Sequence, residues 1–261
     1  MRSPLMSTVV PSPEAYDRCL NCGEPLTGRF CTKCGQDHRH RTLTIRSVIS
    51  DFSHQIVSWE WPLLRTVGDM LWRPGFVASE YVRGRRQAYT NPLKFCFITG
   101  AMVVATAQLL PGAAEVATGA QNLQENAEMA RPILEWYGRW LHLLYFFTLP
   151  IMAGMMRLTF WRGGRSFVEC LVLCLFVLGE VFLIQLMLMP LVVYVNQAFG
   201  ILSLAVALGY FGWGAATFFN GQKWILAPVT IVLMLVYSNL IVIGTVVVGV
   251  VLLGILGRLG N

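Results

Sequence analysis

Charge is what this chain has least of, and the shortage is uneven. Asp, Glu, Lys and Arg make up 13% of its 261 residues, about half the share usual in soluble domains, which is roughly 25%. Of these 34 residues, 20 lie before Asn91 and 14 are spread over the remaining two thirds. Hydrophobic residues reach 55% and mean hydropathy is +0.57. A soluble globular body is excluded for the later part, and a membrane protein with a polar front end is expected. A secretory signal is also lacking. Residues 1–18 are interrupted by Pro4, Pro11, Pro13, Glu14 and Asp17 and hold no apolar core of the usual ~7–15 residues. The front end is therefore expected to stay in the cytoplasm as a disordered leader. Thiols are kept reduced there, so the seven cysteines do not read as a disulfide framework. Catalytic signatures are missing too: no P-loop, G-x-S-x-G, H-E-x-x-H or dinucleotide fingerprint occurs. A non-catalytic role is expected. The net charge of +6 is the ordinary result of basic residues flanking membrane spans, and nucleic acid is a disfavoured partner.

What the front end does have is cysteine in pairs. Cys19-Leu-Asn-Cys22-Gly23 is followed by Cys31-Thr-Lys-Cys34-Gly35, with eight residues between Cys22 and Cys31. In each C-x-x-C-G unit two thiolates converge on one metal while glycine permits the tight turn behind the second cysteine. Four thiolates in a tetrahedron favour a structural Zn2+, with iron the runner-up. Residues 19–37 cannot bury enough apolar surface to fold alone, so metal binding would supply the folding energy of this zinc ribbon. A closed four-sulfur site leaves no open coordination position for substrate. His38 and His40 read as solvated linker residues, since the quartet is already complete.

From residue 42 to 92 the pattern becomes that of short amphipathic helices. Ile45, Val48, Ile49, Phe52, Ile56 and Trp59 fall on one face. Leu63, Leu64, Val67, Met70 and Leu71 continue after Pro62, and Pro74 opens a third piece that stops at Gly84. Their Trp, Phe and Arg content predicts seating at the membrane–water interface. Arg83, Arg85, Arg86 and Lys94 form a basic membrane-interface patch that leads into the first span.

Residues 93–261 read as a transmembrane domain with about five spans, near 93–110, 140–161, 167–195, 198–219 and 224–256. The last run, 33 residues or ~50 Å as a helix, exceeds a ~30 Å hydrocarbon core and must tilt, bend near Gly244 or run out along a partner. Arg157, Arg162, Arg165 and Lys223 lie on the same side as the front end, whereas Arg131 and Arg139 on the other side are offset by glutamates. This bias places the N-terminus inside. The fold class expected is thus mainly α: a polytopic helical membrane protein with a small N-terminal zinc ribbon.

Ionisable groups inside spans are the default functional hint. Glu180 lies deep in the third span, and Glu169, eleven residues earlier, shares its face. One reading is an intramembrane proton or cation site using both. The other pairs Glu169 with Arg165 or Arg162 and bonds a protonated Glu180 to Gln185 or Asn239. The second is expected, because one deep carboxylate makes a thin pathway. Cys170 and Cys174 read as small packing residues. Gly209, Gly212 and Gly214 read as sites of close helix packing.

Several of these features recur in one order: both C-x-x-C-G units with Gln36, Asp51-Phe52, Arg73-Pro74-Gly75, Glu80-Tyr81, Gly84-Arg85-Arg86, Tyr89, Pro92 and Phe95. The chain resembles an uncharacterised bacterial family of zinc-ribbon membrane proteins, domain of unknown function 3667, over about residues 19–105. The resemblance implies a bacterial inner (cytoplasmic) membrane protein with a cytoplasmic ribbon, and implies no activity. The function expected is a scaffold or regulatory subunit whose ribbon is a docking platform. The partners expected are the lipid bilayer and a protein bound by the head, and self-association is compatible with the spans. The rival expectations are a small transporter or channel subunit using Glu180, and a membrane-tethered nucleic-acid binder using Arg29, Lys33, Arg39 and Arg41.

Overall fold

A computed structural model describes residues 18–37, 43–49, 61–110, 149–196, 198–219, 228–229 and 232. Among these residues five helices carry the architecture: α1 (Trp61–Trp72), α2 (Pro74–Val82), α3 (Pro92–Leu109), α4 (Phe167–Tyr194) and α5 (Ala198–Phe218). Residues 45–49 and 149–159 are also helical, and Trp161–Gly163 form a 3-10 turn. No strand occurs among the described residues.

Local chemistry explains where the helices begin and end. Pro74 disfavours helical backbone at Arg73, which takes φ −148° and ψ 58° and separates α1 from α2. Asn91 caps α3: its side chain accepts from the backbone N–H groups of Leu93 (2.9 Å) and Lys94 (3.3 Å), and Pro92 occupies the first turn. The same Asn91 amide donates to the Val48 carbonyl (2.9 Å), tying the helical residues 45–49 to the start of α3. Ser166 caps α4 by accepting from the Glu169 N–H (3.2 Å). Pro190 is tolerated because it sits in the last turns, where few ladder bonds remain to break.

The helix α4 is the hub, packed against α1, α2, α3 and α5, and α2 also packs on α5. The α3–α4 contact interlocks through reciprocal glycines. Phe182 of α4 lies over Gly100, where an added β-carbon would come within 3.1 Å, and Phe95 of α3 lies over Gly179, where it would come within 2.6 Å. Between them Phe176 meets Tyr81 edge-on, ring centroids 5.5 Å apart. The short α2 is buried along Pro74, Gly75 and Val77–Tyr81, wedged between α4 and α5. In contrast α1 keeps Leu64, Leu71 and Trp72 exposed.

Among the described residues three helices are long and apolar enough to cross a membrane: Pro92–Leu109, Phe167–Tyr194 and Phe199–Phe218. They coincide with the first, third and fourth expected spans. Of the second, residues 149–161 are described and are helical to 159. Most of the fifth lies outside the described residues, as do the 1–18 leader (Arg18 excepted), His38, His40 and most of the expected helix after Thr42. Gly214 meets the packing expectation, with Val177 and Pro74 against it, but no described residue lies within 4 Å of a β-carbon placed on Gly209.

Candidate metal centre

The two cysteine units fold as copies offset by twelve residues. In each, the glycine takes a left-handed turn (Gly23 φ 78°, Gly35 φ 72°), and its N–H returns to the first cysteine's carbonyl at 2.9 Å. The first cysteine's N–H then reaches across to Glu24 O (2.8 Å) or Gln36 O (3.0 Å). Single antiparallel bridges, Arg18 to Pro25 and Phe30 to Asp37, close the two turns. A residue with a side chain would be strained at those glycine angles, which is why this position follows the second cysteine each time.

Folding the copies together brings Sγ of Cys19, Cys22, Cys31 and Cys34 within 4.8 Å of one another. Cys19 and Cys34 lie 3.5 Å apart, as do Cys22 and Cys31. Metal–sulfur bonds of ~2.3 Å in a tetrahedron imply sulfur–sulfur edges of ~3.8 Å, so the cage already has the right size for one metal ion. Backbone N–H groups point at the sulfurs, among them Asn21 N–H to Cys19 Sγ at 3.4 Å. Their effect on the thiols differs from site to site. The N–H of Cys34, opposed by burial and aided by the N–H of Lys33, brings Cys31 down to about 7. Burial pushes Cys34 up to about 12. For Cys22 the N–H of Glu24 favours the thiolate, but burial and the thiols of Cys31 and Cys19 outweigh it and push the thiol up. Metal uptake must therefore displace protons, and binding weakens as pH falls.

The head is not tethered by its linker alone. Gln36 Nε2 donates to the Gly84 carbonyl at 2.8 Å in a buried setting 48 residues away in sequence. Leu20, inside the first C-x-x-C, packs on Gly84 itself, where an added β-carbon would sit 2.7 Å from Leu20 Cδ1. Gly84 holds φ 107°, a conformation that ends α2 and turns its carbonyl toward the head. Both cysteine units thus touch the turn that precedes the first apolar span.

That turn carries the basic residues read as a membrane-interface patch. Two of them face a carboxylate: Arg83 Nη1 lies 3.0 Å and Arg85 Nη1 2.6 Å from the two oxygens of Glu80. The Glu80 side chain is 9% exposed against 59% and 43% for the arginines. Burial opposes its ionisation, yet the two guanidinium bonds outweigh burial and hold the carboxyl below its ordinary range. Arg86 is half-buried and Lys94 buried at the start of α3.

The two intramembrane candidates part company. Glu169 lies 3.4 Å from Arg165 Nη1, whose other nitrogen donates to the Phe218 carbonyl at 3.2 Å. Glu180 is buried, with 1% exposure, and neither carboxyl oxygen has a hydrogen-bond partner among the described residues. The expected bond from Gln185 is not made, and Asn239 lies outside the described residues. Cys170 and Cys174 are buried packing residues, Cys174 lying 3.4 Å from Met156 Sδ. Glu80 and Gln36 are the residues whose roles the sequence reading missed. Both stand in the family-like pattern, and Gln36 also lies twelve residues after Glu24 at the matching place in the repeat, but neither signal names a bonding partner.

Together these features define a class: a helical protein with, among the described residues, three helices of membrane-crossing length and apolarity, carrying a four-thiol site docked on the turn before the first of them. Residues 62–104, from α1 through most of α3, match the family model described as Protein of unknown function (DUF3667). The likeness to that family read from Arg73-Pro74-Gly75, Glu80-Tyr81, Gly84-Arg85-Arg86, Tyr89, Pro92 and Phe95 is shown over this stretch, and the cysteine units lie outside it. No curated protein and no solved structure matches the chain.

Proposed function

We propose that the chain is a non-catalytic scaffold or regulatory subunit of a bacterial inner membrane, in which a structural Zn2+ holds a cytoplasmic ribbon in place as a docking platform for a protein partner. The observation that carries this reading is the buried Gln36–Gly84 bond. It makes the metal-ordered head a rigid extension of the helical body, as a platform requires and a flexible tether does not. Zinc is the favoured ion because four thiolates form a closed tetrahedral set. Arginines and Lys223 flanking the spans on the head's side favour the cytoplasmic orientation. The nucleic-acid alternative is weakened by pairing. Arg29 lies 3.3 Å from Asp37 and Lys33 3.4 Å from Glu24, so two of the four cations that reading relies on already face carboxylates.

The test is chemical crosslinking in native membranes with the full chain, comparing wild type with Cys34→Ser and Gly84→Ala. A defined partner, crosslinked through the head and lost in both variants while the chain stays in the membrane, is the expected result. Crosslinks that are indifferent to both variants would overturn the platform reading. Metal analysis of the purified chain checks the ion, with one zinc per chain expected and loss in Cys34→Ser.

A further inference from the structure

Glu180 is the fourteenth of the 28 residues of α4, the middle of the most apolar candidate span. The packing along the helix on either side of it is aromatic. Phe95 packs on the adjoining Gly179, Phe176 lies one turn before, and Phe182 follows toward Gly100. The ionisable groups on the elements packed against α4 are Arg65 and Asp69 of α1, Glu80 and Tyr81 of α2, Lys94 and Cys96 of α3, and Tyr210 of α5, with Arg157 on the helical residues 149–159. None bonds to the Glu180 carboxyl. Tyr210 interacts with it electrostatically, but its hydroxyl donates to the Met70 carbonyl at 2.6 Å. Glu80 is taken by Arg83 and Arg85, and on α4 itself Glu169 is taken by Arg165.

A structural role would leave a trace in bonding. A buried acid that braces a fold donates or accepts a hydrogen bond, and a buried carboxylate faces a cation. Glu180 does neither among the described residues, so an apolar side chain of its size would pack the same space at less cost. A hard metal cation does not fit, since such ions take six or more oxygen ligands and the described residues bring one carboxyl and no metal-ligand group around it. What remains is the smallest cation.

We infer that Glu180 is an intramembrane proton-binding site, which exchanges one proton from the centre of the α4 span. The O–H bond breaks with its electron pair left on the carboxylate, and the proton passes to water. The inference rests on α4 lying in a bilayer and is independent of the metal head.

The test uses the full chain in liposomes of phosphatidylethanolamine and phosphatidylglycerol. Flotation comes first: a chain that does not insert would sink the membrane reading itself. On inserted protein, dicyclohexylcarbodiimide reports protonated acids in apolar surroundings. The acid O–H adds across a C=N bond, oxygen to carbon and proton to nitrogen, and acyl migration to nitrogen then leaves an N-acylurea retaining every atom. The adduct is expected at Glu180 by peptide mass spectrometry, to decline as pH is raised, to be indifferent to added Na+ or Ca2+, and to be lost in Glu180→Gln. Absence of an adduct at Glu180, a yield constant from acid to alkaline pH, or protection by Na+ or Ca2+ would each overturn the inference. Should Glu180→Gln fail to insert, the pH profile and mapped position of the wild-type adduct decide alone.

Discussion

Replacing Gly84 with alanine separates the head from the body without touching a metal ligand. The structure supplies two costs. The first is backbone: Gly84 holds φ 107°, outside even the small left-handed region open to other residues, and such conformations cost roughly 1–2 kcal/mol or more with a β-carbon. The second is collision. The new methyl would sit 2.7 Å from Leu20 Cδ1 and 3.1 Å from Leu20 Cβ. The first atom can swing away and the second moves only with the head, so overpacking adds about 1 kcal/mol, the low end of its usual range. The sum, ~2–3 kcal/mol, corresponds to roughly a 30- to 150-fold shift of the docked equilibrium. Hydrogen exchange of the head amides in metal-loaded, liposome-inserted protein reads this shift, while metal content should stay at one ion per chain. Adding Leu20→Ala to Gly84→Ala should recover the collision part and leave the backbone part, a coupling that a double-mutant cycle isolates. Unchanged exchange in Gly84→Ala, or loss of metal together with undocking, would refute the docking argument.

Other outcomes follow from the same geometry. Gly75→Ala should disrupt the α2–α5 contact, because the added carbon would overlap Thr217 and sit 2.5 Å from Gly214 O and Phe218 N; thermal unfolding in detergent should show a loss of at least ~3 kcal/mol, the upper range of overpacking, since two of the opposing atoms are backbone. Glu80→Gln should cost ~1 kcal/mol, modest because both arginines are well exposed. Since the Glu80 carboxyl is held below its ordinary value of 4.5, its contribution is fully present above that value and is lost as pH falls through the lower folded value. Wild-type melting temperature should therefore drop in that acid window, and the drop should shrink in Glu80→Gln. Phe95→Ala, which empties the fully buried ring over Gly179, should cost about 3–5 kcal/mol in the same unfolding assay. Chelation at mildly acid pH should strip metal faster than at neutral pH, as protons compete for the thiolates, and should raise head exchange as Gly84→Ala does.

Much of the frame was legible in local order along the chain. Runs of apolar residues closed by proline, asparagine or charge placed three helices to within a residue: Pro92–Leu109, Phe167–Tyr194 and Ala198–Phe218 against expected spans at 93–110, 167–195 and 198–219. Hydrocarbon thickness and helix rise make length and composition sufficient for that. The thiol cage was legible for a related reason. C-x-x-C-G is a closed local turn, and two such turns in one short segment have a single way to share an ion. Only three-dimensional packing could show what covers each surface. Nothing local pairs Gln36 with Gly84, or says that Glu80 will be the buried centre for two arginines, or that α2 will be wedged between α4 and α5 when α1, of similar composition, leaves Leu64 and Trp72 exposed. Periodicity reports that a face is apolar and is silent about whether lipid, water or another helix meets it. The same limit applied to Glu180. Position along the span suggested a buried acid with a bonding neighbour; Gln185, five residues on, stands about 140° round the same helix and makes no bond to it, and whether a side chain from another helix reaches the carboxyl is decided by packing alone.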